Sequence, residues 1–378
     1  MLKSDTHKRA MEKLENLVDL DYVAEAEARH VALFGGKSFD RLPCIVWMPT
    51  PADWPTYPFT ECWDDIEKNF MTCMGNVYSG ALLRDDRTYQ IDPNYGVVNI
   101  PELFHVPSVI TNESSSMSEG LNDANKIREL VARGVPSFDS HLNRKVEAFE
   151  DFARTVLQEF KKLSQCVHLN LPDLNGPFDL ACLIWGREIL TGLYDEPKLV
   201  EDLLDLVTDT YIQYGIYHKR RIGAPMDSAW YSAGVRLVHG GVRVSDDSAV
   251  LVSGKVYRSL IKSRDLRAFA PFHGGWVHYC GNGNHFVKDL LAMEPVHYLH
   301  LGNPDEHDIL ALAREIAGKD KVLVWSGSLD KIREACEITG YTRILALPEN
   351  RYGGNNLDDA KDRLARARNF QAIKAAAW

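Results

Sequence analysis

The stretch FHGGWVHYCGNGNHF, residues 272–286, carries the side chains of this chain that are best suited to chemistry. His278 and Cys280 are two residues apart, and residues at that spacing on a β-strand point to the same face of a sheet. An imidazole nitrogen and a thiolate sulfur are both good ligands for zinc. Because a catalytic zinc needs three protein ligands and an open position, this pair can supply only part of a site.

Glu349 is the best third ligand that the sequence offers. It follows the apolar run TRILALP, and on an alternating strand it shares a face with the leucines of that run. Cys336 is less suitable, because the pattern of DKIREACEITG places it within a helix. A carboxylate completes a set of nitrogen, sulfur and oxygen donors that zinc accepts. The predicted metal ligands are therefore His278, Cys280 and Glu349.

Three further residues are candidates for a catalytic role. Asp246 and Asp247 precede a predicted helix, where they either cap its N-terminus or orient the substrate or a ligand histidine. Tyr231 lies near the end of the predicted strand DSAWYSAG, where its hydroxyl either faces a cleft or packs in the core. Both interpretations stay open for each of these residues.

Four residues are candidates for contact with a substrate. Asn175 in DLNGPFD is either a turn residue or a substrate contact. Trp47 belongs to an aromatic-rich segment that could cover an apolar substrate or pack a long loop. His239 lies beside glycines, which favours a hydrogen-bonded loop histidine over a general base. Arg351 is a cation that could bind a carboxylate group.

Composition and charge limit the partners of the protein. The 378 residues are 45% hydrophobic and 25% charged, which is typical of a globular chain. The formal net charge of −10 argues against binding to nucleic acid or to an anionic membrane, since both need clustered positive charge. We therefore expect a small-molecule substrate, and the sequence leaves a homodimer open.

The seven cysteines are scattered and form no CxxC pair, which indicates a reducing cytoplasm rather than a disulfide framework. The N-terminal segment lacks the apolar core of a signal peptide. No apolar run approaches the ~20 residues that are needed to span a bilayer. The sequence thus predicts a cytoplasmic protein that does not enter a membrane.

Apolar strands alternate with amphipathic helices along most of the chain. Strands are predicted at 44–48, 166–172, 225–234, 272–281, 296–302, 321–328 and 342–348. This alternation predicts parallel βαβ units and, at this length, an α/β fold of the (β/α)₈ (TIM) barrel type. The helical pattern of 5–34 makes residues 1–38 an N-terminal extension, and residues 39–378 form the predicted barrel. Residues 80–125 show no helix of their own.

Several segments together resemble the uroporphyrinogen decarboxylase superfamily. HYCGN before a helix, VLVWSGSLD and GYTRILALPEN resemble its C-terminal half, and LPCIVWMP resembles its first strand. PNYGVVNIPELFHVP and GPFDLACLIWGREILTGLYDEPKLVEDLLD resemble its middle, while Gly254 replaces a proline of the superfamily. The resemblance covers most of residues 40–370. It implies a (β/α)₈ barrel whose cleft lies at the C-terminal ends of the strands.

The resemblance is closer to the cobamide-dependent methyltransferases than to the true decarboxylases. The decarboxylases carry an arginine-bearing segment resembling RQAGR after the first strand, and WMPTPADWP contains no arginine there. The methyltransferases hold zinc through His-x-Cys and a second cysteine after the last strand. His278 and Cys280 match that pattern, and Glu349 stands where the second cysteine is expected. The resemblance therefore implies Zn²⁺ and a corrinoid on a partner protein.

The sequence predicts a zinc-dependent methyltransferase that moves a methyl group from a small methoxy or similarly methylated donor to a corrinoid protein. A carboxylate in place of one thiolate makes the site harder, which favours O-demethylation over capture of a thiol. One alternative is a metal-independent decarboxylase of a small carboxylate or tetrapyrrole, with Arg236, Arg243 and Arg351 as its cations. The other is a non-catalytic subunit that docks a corrinoid protein.

Overall fold

The computed structural model describes residues 1–35, 37, 40–110, 116–231, 234–348 and 356–375. The strands are β1 (Tyr89–Ile91), β2 (Ser108–Ile110), β3 (Ser116–Ser118), β4 (Val167–Leu169), β5 (Ala229–Tyr231), β6 (Val235–Leu237), β7 (Val242–Ser245), β8 (Gly275–Tyr279), β9 (Val296–Leu301), β10 (Val322–Gly327) and β11 (Ile344–Pro348).

The α-helices are α1 (Asp5–Leu17), α2 (Leu20–Phe34), α3 (Phe59–Asp64), α4 (Ile66–Leu83), α5 (Asn99–Leu103), α6 (Ala124–Arg133), α7 (His141–Leu157), α8 (Leu163–Cys166), α9 (Pro177–Trp185), α10 (Ile189–Asp195), α11 (Pro197–Ile222), α12 (Gly254–Val256), α13 (Lys262–Phe269), α14 (Val287–Ala292), α15 (Ile309–Ile316), α16 (Leu329–Ile338) and α17 (Leu357–Ala375). Short 3₁₀ turns include Asp247–Leu251, and Tyr257–Ile261 is a π-helical turn between α12 and α13.

A parallel five-stranded sheet forms the centre of the C-terminal half. Its strands follow one another in chain order, β7, β8, β9, β10 and β11, and each neighbour is parallel. Helices connect each strand to the next, which is the βαβ pattern that parallel neighbours require. The strands are almost wholly buried, as expected when both faces of a parallel sheet are covered. The fold is therefore mixed α/β.

Backbone hydrogen bonds continue beyond both edges of this sheet. At one edge, Cys44 forms a parallel bridge to Ala346 of β11, and the Cys44 carbonyl accepts from the Asp86 amide at 2.9 Å. At the other edge, the Ser245 amide donates to the Asn175 carbonyl at 3.3 Å. Between these two regions, β1 and β4 form a parallel pair of their own.

Three details of the sequence prediction are wrong. The helix predicted at 5–34 is two helices, because Val18 is extended and the Asp19 side chain caps α2 at the Tyr22 amide. The strand predicted at 225–234 is only β5, which pairs antiparallel with β6, so β7 enters the sheet instead. The segment 80–125 contains the short helix α5 and the end of α4.

Two apolar cores hold the molecule together. One surrounds the five-stranded sheet, and the other joins α1 to α4, α7, β1 and β4. Met11 and Leu14 of α1 are fully buried with Phe70 and Phe149 in this second core. The N-terminal helices are thus packed against the rest of the chain, and the division at residues 38 and 39 stays a prediction. None of the described helices is both long and apolar enough to cross a bilayer.

Candidate metal centre

One face of the five-stranded sheet, here called the polar face, carries the side chains with chemistry. The register pairs Ser245 with His278 and His278 with His300 across β7, β8 and β9, and it pairs Arg243 with Trp276. Residues paired across parallel strands, and residues two apart on one strand, point to the same side of the sheet. The histidines lie toward the C-terminal ends of β8 and β9.

Asp247, His278 and Cys280 form a cluster in which one potential ligand atom of each lies within 4.8 Å of the others. Cys280 Sγ is 3.5 Å from His278 Nε2, and that nitrogen is 3.7 Å from Asp247 Oδ1. Tetrahedral zinc with ordinary bond lengths separates its ligand atoms by roughly 3.3–3.6 Å. The cluster therefore fits zinc in both donor chemistry and spacing, and it is exposed enough for a metal to enter.

The backbone around the cluster is arranged to leave room for the thiol. Gly302, just after β9, has no side chain, and a Cβ there would lie 2.5 Å from Cys280 Sγ and 3.2 Å from His278 Cε1. Real Cβ atoms do not approach other heavy atoms that closely, so a larger residue would displace the ligands. The Cys280 amide also donates to Asp247 Oδ1 at 2.6 Å, which fixes the carboxylate beside the thiol.

His278 and His300 share one proton between their Nδ1 atoms, which are 2.9 Å apart. The two rings are stacked with centroids 4.8 Å apart and planes inclined by 26°. His278 Nε2 faces Cys280 and can bind a metal only if its lone pair is free, which puts the proton on Nδ1. In that tautomer His278 donates to His300, as metal-bound histidines usually do to a neighbouring acceptor.

Burial and charge keep the nitrogen ligand neutral and the thiol protonated without metal. Burial, with help from the Arg243 guanidinium, lowers the pKa of His278 to about 3. Burial and the adjacent His278 hold the pKa of His300 well below its usual range. Burial and the Asp247 carboxylate raise the pKa of Cys280 to about 11. Metal binding at this cluster must therefore release the thiol proton.

A buried carboxylate positions Asp247 from a distant part of the chain. Asp179 of α9 accepts hydrogen bonds from the backbone amides of Asp247 at 3.1 Å and Ser248 at 2.6 Å. Burial and the nearby Asp247 raise the pKa of Asp179 to about 7. Asp179 thus caps the turn Asp247–Leu251, and the side chain of Asp247 itself stays free to face the cluster.

Asp246 has neither of the two roles expected from the sequence. Its side chain is fully buried, makes no cap hydrogen bond and therefore cannot reach a substrate. Burial and the neighbouring Asp265 raise its pKa well above the usual range. Its backbone amide donates to the His278 carbonyl at 2.8 Å, so Asp246 supports the strand end from inside the core.

Tyr231 and Arg243 lie next to the cluster around a separate polar cavity of about 60 Å³. The Tyr231 hydroxyl is hydrogen-bonded to Arg243 Nη1, and Asp92 and Asp173 also line the cavity. The Tyr231 ring packs 5.0 Å from the ring of Trp276 on the polar face. Tyr231 thus packs against the main core while its hydroxyl binds Arg243 beside the cavity, and a catalytic role for Tyr231 stays a prediction.

The side chains of two other predicted contacts bind or pack against residues outside the cluster. Asn175 has φ of +59°, and its side-chain amide donates to the Val97 carbonyl at 3.0 Å, as suits a turn residue. The expectation for His239 is corrected: His239 precedes β7 and lies at the N-terminal ends of the strands, where its ring centroid is 4.3 Å from that of Phe34. The reason is that residues before a parallel strand cannot reach its C-terminal end.

Trp47 is 64% exposed, and its backbone carbonyl accepts from Arg363 at 3.0 Å. An exposed indole is compatible with covering a substrate, and that contact stays a prediction. Glu349 and Arg351 lie outside the described residues, so the predicted third ligand and the predicted cation are not placed. Within the described residues, Asp247 provides the oxygen donor beside His278 and Cys280.

Sequence reasoning missed two residues that shape the cluster and the role of a third. Asp179 is 68 residues before Asp247, and nothing in the local pattern connects the two. Gly302 directly follows β9, and nothing in the sequence indicates that a side chain at this position would collide with Cys280 Sγ. His300 was recognisable as a strand-end histidine, but its role as a partner of His278 depends on the register of β8 and β9.

Comparisons with known proteins give one informative result. No protein-family model and no curated protein matches the chain. The structure is similar to a solved methyltransferase from Methanosarcina mazei, with a TM-score of 0.64 and 17% sequence identity over 91% of this chain and 98% of that one. At this identity the similarity establishes the fold that the two chains share.

Proposed function

We propose that the protein is a zinc-dependent methyltransferase that moves a methyl group from a small methoxy or similarly methylated donor to a corrinoid on a partner protein. The cluster of Asp247, His278 and Cys280 carries this proposal, because it brings oxygen, nitrogen and sulfur donors within 4.8 Å of one another. The similarity of the fold to a methyltransferase supports it. The resemblance around HYCGN points in the same direction.

The architecture that we propose with this function is a closed (β/α)₈ barrel of the uroporphyrinogen decarboxylase superfamily. The hydrogen bonds that continue beyond both edges of the sheet support closure through residue 44, β1 and β4. The cluster follows the C-terminal ends of β7 and β8. Active sites of such barrels are built at that end of the strands.

In the proposed reaction, zinc supplies a Lewis acid that polarises the heteroatom from which the methyl group leaves. The chain contributes the geometry. His300 accepts the Nδ1 proton of His278 and so keeps Nε2 available, and Asp179 holds the turn that presents Asp247. Cys280 gives up its thiol proton when metal binds, because only the thiolate is a strong ligand.

Zinc content measured by elemental analysis tests the ligand set. We expect about one zinc per chain in the wild type and a large loss in His278→Ala and Cys280→Ala, since each removes a ligand. Cys62→Ala is a matched control, because Cys62 is a buried cysteine of α3 and lies outside the cluster. Negligible zinc in the wild type, or unchanged zinc in both ligand variants, would overturn the metal site.

The same measurement decides which carboxylate supplies the oxygen ligand. Asp247→Asn should reduce zinc content if Asp247 is the third ligand, and Glu349→Gln should do so if Glu349 is a ligand as well. Loss in only one of the two variants identifies the carboxylate. Equal retention in both would leave two protein ligands, which is too few for a catalytic zinc.

Methyl transfer itself is tested by absorbance spectroscopy of a reduced corrinoid protein mixed with this protein and a methylated donor. The methyl group moves to Co(I), which becomes methyl-Co(III), and the demethylated donor retains the electron pair of the broken bond. We expect the spectral change with the wild type and little change with His278→Ala. Full activity of a zinc-free His278→Ala protein would contradict the proposal.

A further inference from the structure

Arg243 lies on the polar face one strand away from His278. Its Nε and Nη2 both donate to Ser245 Oγ, at 3.1 and 2.5 Å, and Ser245 is paired in register with His278. Neighbouring strands are about 4.8 Å apart, so Arg243 and His278 extend from adjacent strands on the same face of the sheet. The Tyr231 ring packs against Trp276, which is the residue paired with Arg243 across the two strands.

The cavity beside Arg243 has the size of a small functional group. The space open to water centres is about 60 Å³, and on this measure one water molecule needs roughly 10–15 Å³. Asp92, Asp173, Tyr231 and Arg243 supply its polar lining. A carboxylate group fills such a space, whereas a large ring system does not.

The guanidinium has donors to spare within the described residues. Arginine carries five N–H groups, and those of Arg243 are directed to Ser245 Oγ and the Tyr231 hydroxyl. Asp173 Oδ2 lies 3.8 Å from Nη2, which is too long for a hydrogen bond. The other oxygen of Asp173 accepts from the Asn175 amide at 3.0 Å. The guanidinium can therefore bind a further oxygen acceptor.

Asp92 can add a donor to this cavity. Burial and the nearby Asp173 raise the pKa of Asp92 to about 7. In its protonated form the carboxyl group offers an O–H to an oxygen ligand and carries no charge that would repel an anion. Charge-assisted hydrogen bonds from arginine to a carboxylate are among the strongest that a protein forms.

We infer that the cavity around Arg243 binds the carboxylate of a small methyl donor while the methyl-bearing heteroatom lies at Asp247, His278 and Cys280. This inference rests on the proposed function and narrows its substrate class to small methylated or methoxylated acids. Because Arg243 and His278 lie on neighbouring strands, the inference favours donors with a short spacer between carboxylate and methyl group. Arg243 is thus the specificity-determining residue.

Calorimetric titration with three matched probes tests this inference on the zinc-loaded protein. Methoxyacetate carries the carboxylate, 2-methoxyethanol is its neutral counterpart, and 2-methoxyethylamine is its cationic counterpart. We expect methoxyacetate to bind at least about tenfold more tightly than the other two, a difference of about 1.4 kcal/mol. Arg243→Gln should abolish this preference and leave zinc content unchanged.

Arg236→Gln is the matched control, because Arg236 binds Glu27 and does not line the cavity. Arg243→Lys should lose most of the preference if bidentate binding matters. The inference is overturned if the wild type binds the three probes equally, binds the amine most tightly, or does not bind methoxyacetate. These three outcomes are measured on the wild type alone. If the wild type binds no zinc but still prefers methoxyacetate, the carboxylate-binding cavity is supported and the zinc-dependent function is rejected.

Discussion

At the scale of single residues, the cluster depends on which nitrogen of His278 carries its proton. Two histidine Nδ1 atoms 2.9 Å apart must share one hydrogen, so the state of His300 sets the state of His278. A ligand histidine whose second nitrogen has a fixed partner binds metal more strongly than one that can rotate or change tautomer. His300 is therefore a positioning residue of the proposed metal centre.

His300→Phe should lower zinc affinity roughly 10–100-fold, the usual effect of losing a hydrogen-bond partner of a ligand. The ring shape is retained, while the acceptor for the His278 Nδ1 proton is lost. Competition with a chelator measures the affinity, and nitrogen NMR of His278 reports its tautomer. His297→Phe on the same strand is the control, since His297 Nε2 donates to the His273 carbonyl at 3.0 Å, near the opposite end of β9. Equal affinities in the two variants would contradict the role of His300.

At the scale of elements, the cluster is built where three segments end side by side. β7 leads into the turn that presents Asp247, β8 carries His278 and leads to Cys280, and the residue after β9 is a glycine. The Gly302 amide donates to the Tyr279 carbonyl at 2.8 Å, which holds the end of β9 against that of β8. The ligands are thus fixed by backbone pairing before any metal binds.

Gly302→Ala should reduce zinc affinity by about tenfold or more, or about 1.4 kcal/mol, without removing a ligand. The added Cβ would fall 2.5 Å from Cys280 Sγ, so the thiol must move. Gly318→Ala is the control, because a Cβ at Gly318 has no heavy atom within 4 Å. Competition with a chelator measures the zinc affinity of both variants. Unchanged zinc affinity in Gly302→Ala would show that the added Cβ does not displace the Cys280 thiol.

At the scale of the whole molecule, several carboxyl groups are buried in the core near the cluster. Asp265 accepts from the Tyr257 hydroxyl at 3.1 Å, and burial raises its pKa to about 7. Asp246 beside it also has a raised pKa because of burial and the charge of Asp265. The fold therefore holds protons that the unfolded chain releases near pH 4. These carboxyl groups therefore make a contribution to stability that decreases as the pH rises from about 4 through about 7. Buried histidines with lowered pKa values, such as His278, contribute in the opposite direction.

Asp265→Asn should weaken this pH dependence and make the protein more stable than the wild type at pH 8. The amide keeps an acceptor for Tyr257 and removes a buried group that must ionise, which is worth on the order of 1–3 kcal/mol. Urea unfolding at pH 5 and pH 8 measures the free energies. Asp195→Asn, which changes an exposed carboxylate, is the control. If the free energy of unfolding changes equally between pH 5 and pH 8 in Asp265→Asn and in the wild type, Asp265 is not one of the groups that bind these protons.

The sequence by itself determined the alternation of strands and helices in the C-terminal half and the pair His278 and Cys280. Both follow from local rules, because apolar periodicity defines each element and spacing of two defines a shared strand face. The break at Val18 and the helix α5 were not predicted, since caps and short helices depend on few residues. The barrel and Glu349 as a ligand stay predictions.

Only the tertiary structure decided which distant groups join that pair. Asp247 faces the ligands because Asp179 holds its turn, and His300 meets His278 because β8 and β9 pair in one register. The structure also shows that His239 lies at the N-terminal ends of the strands and that Asp246 is buried. The physical reason is that a site at strand ends is assembled by contacts across the sheet, and a local pattern in the sequence carries no record of them.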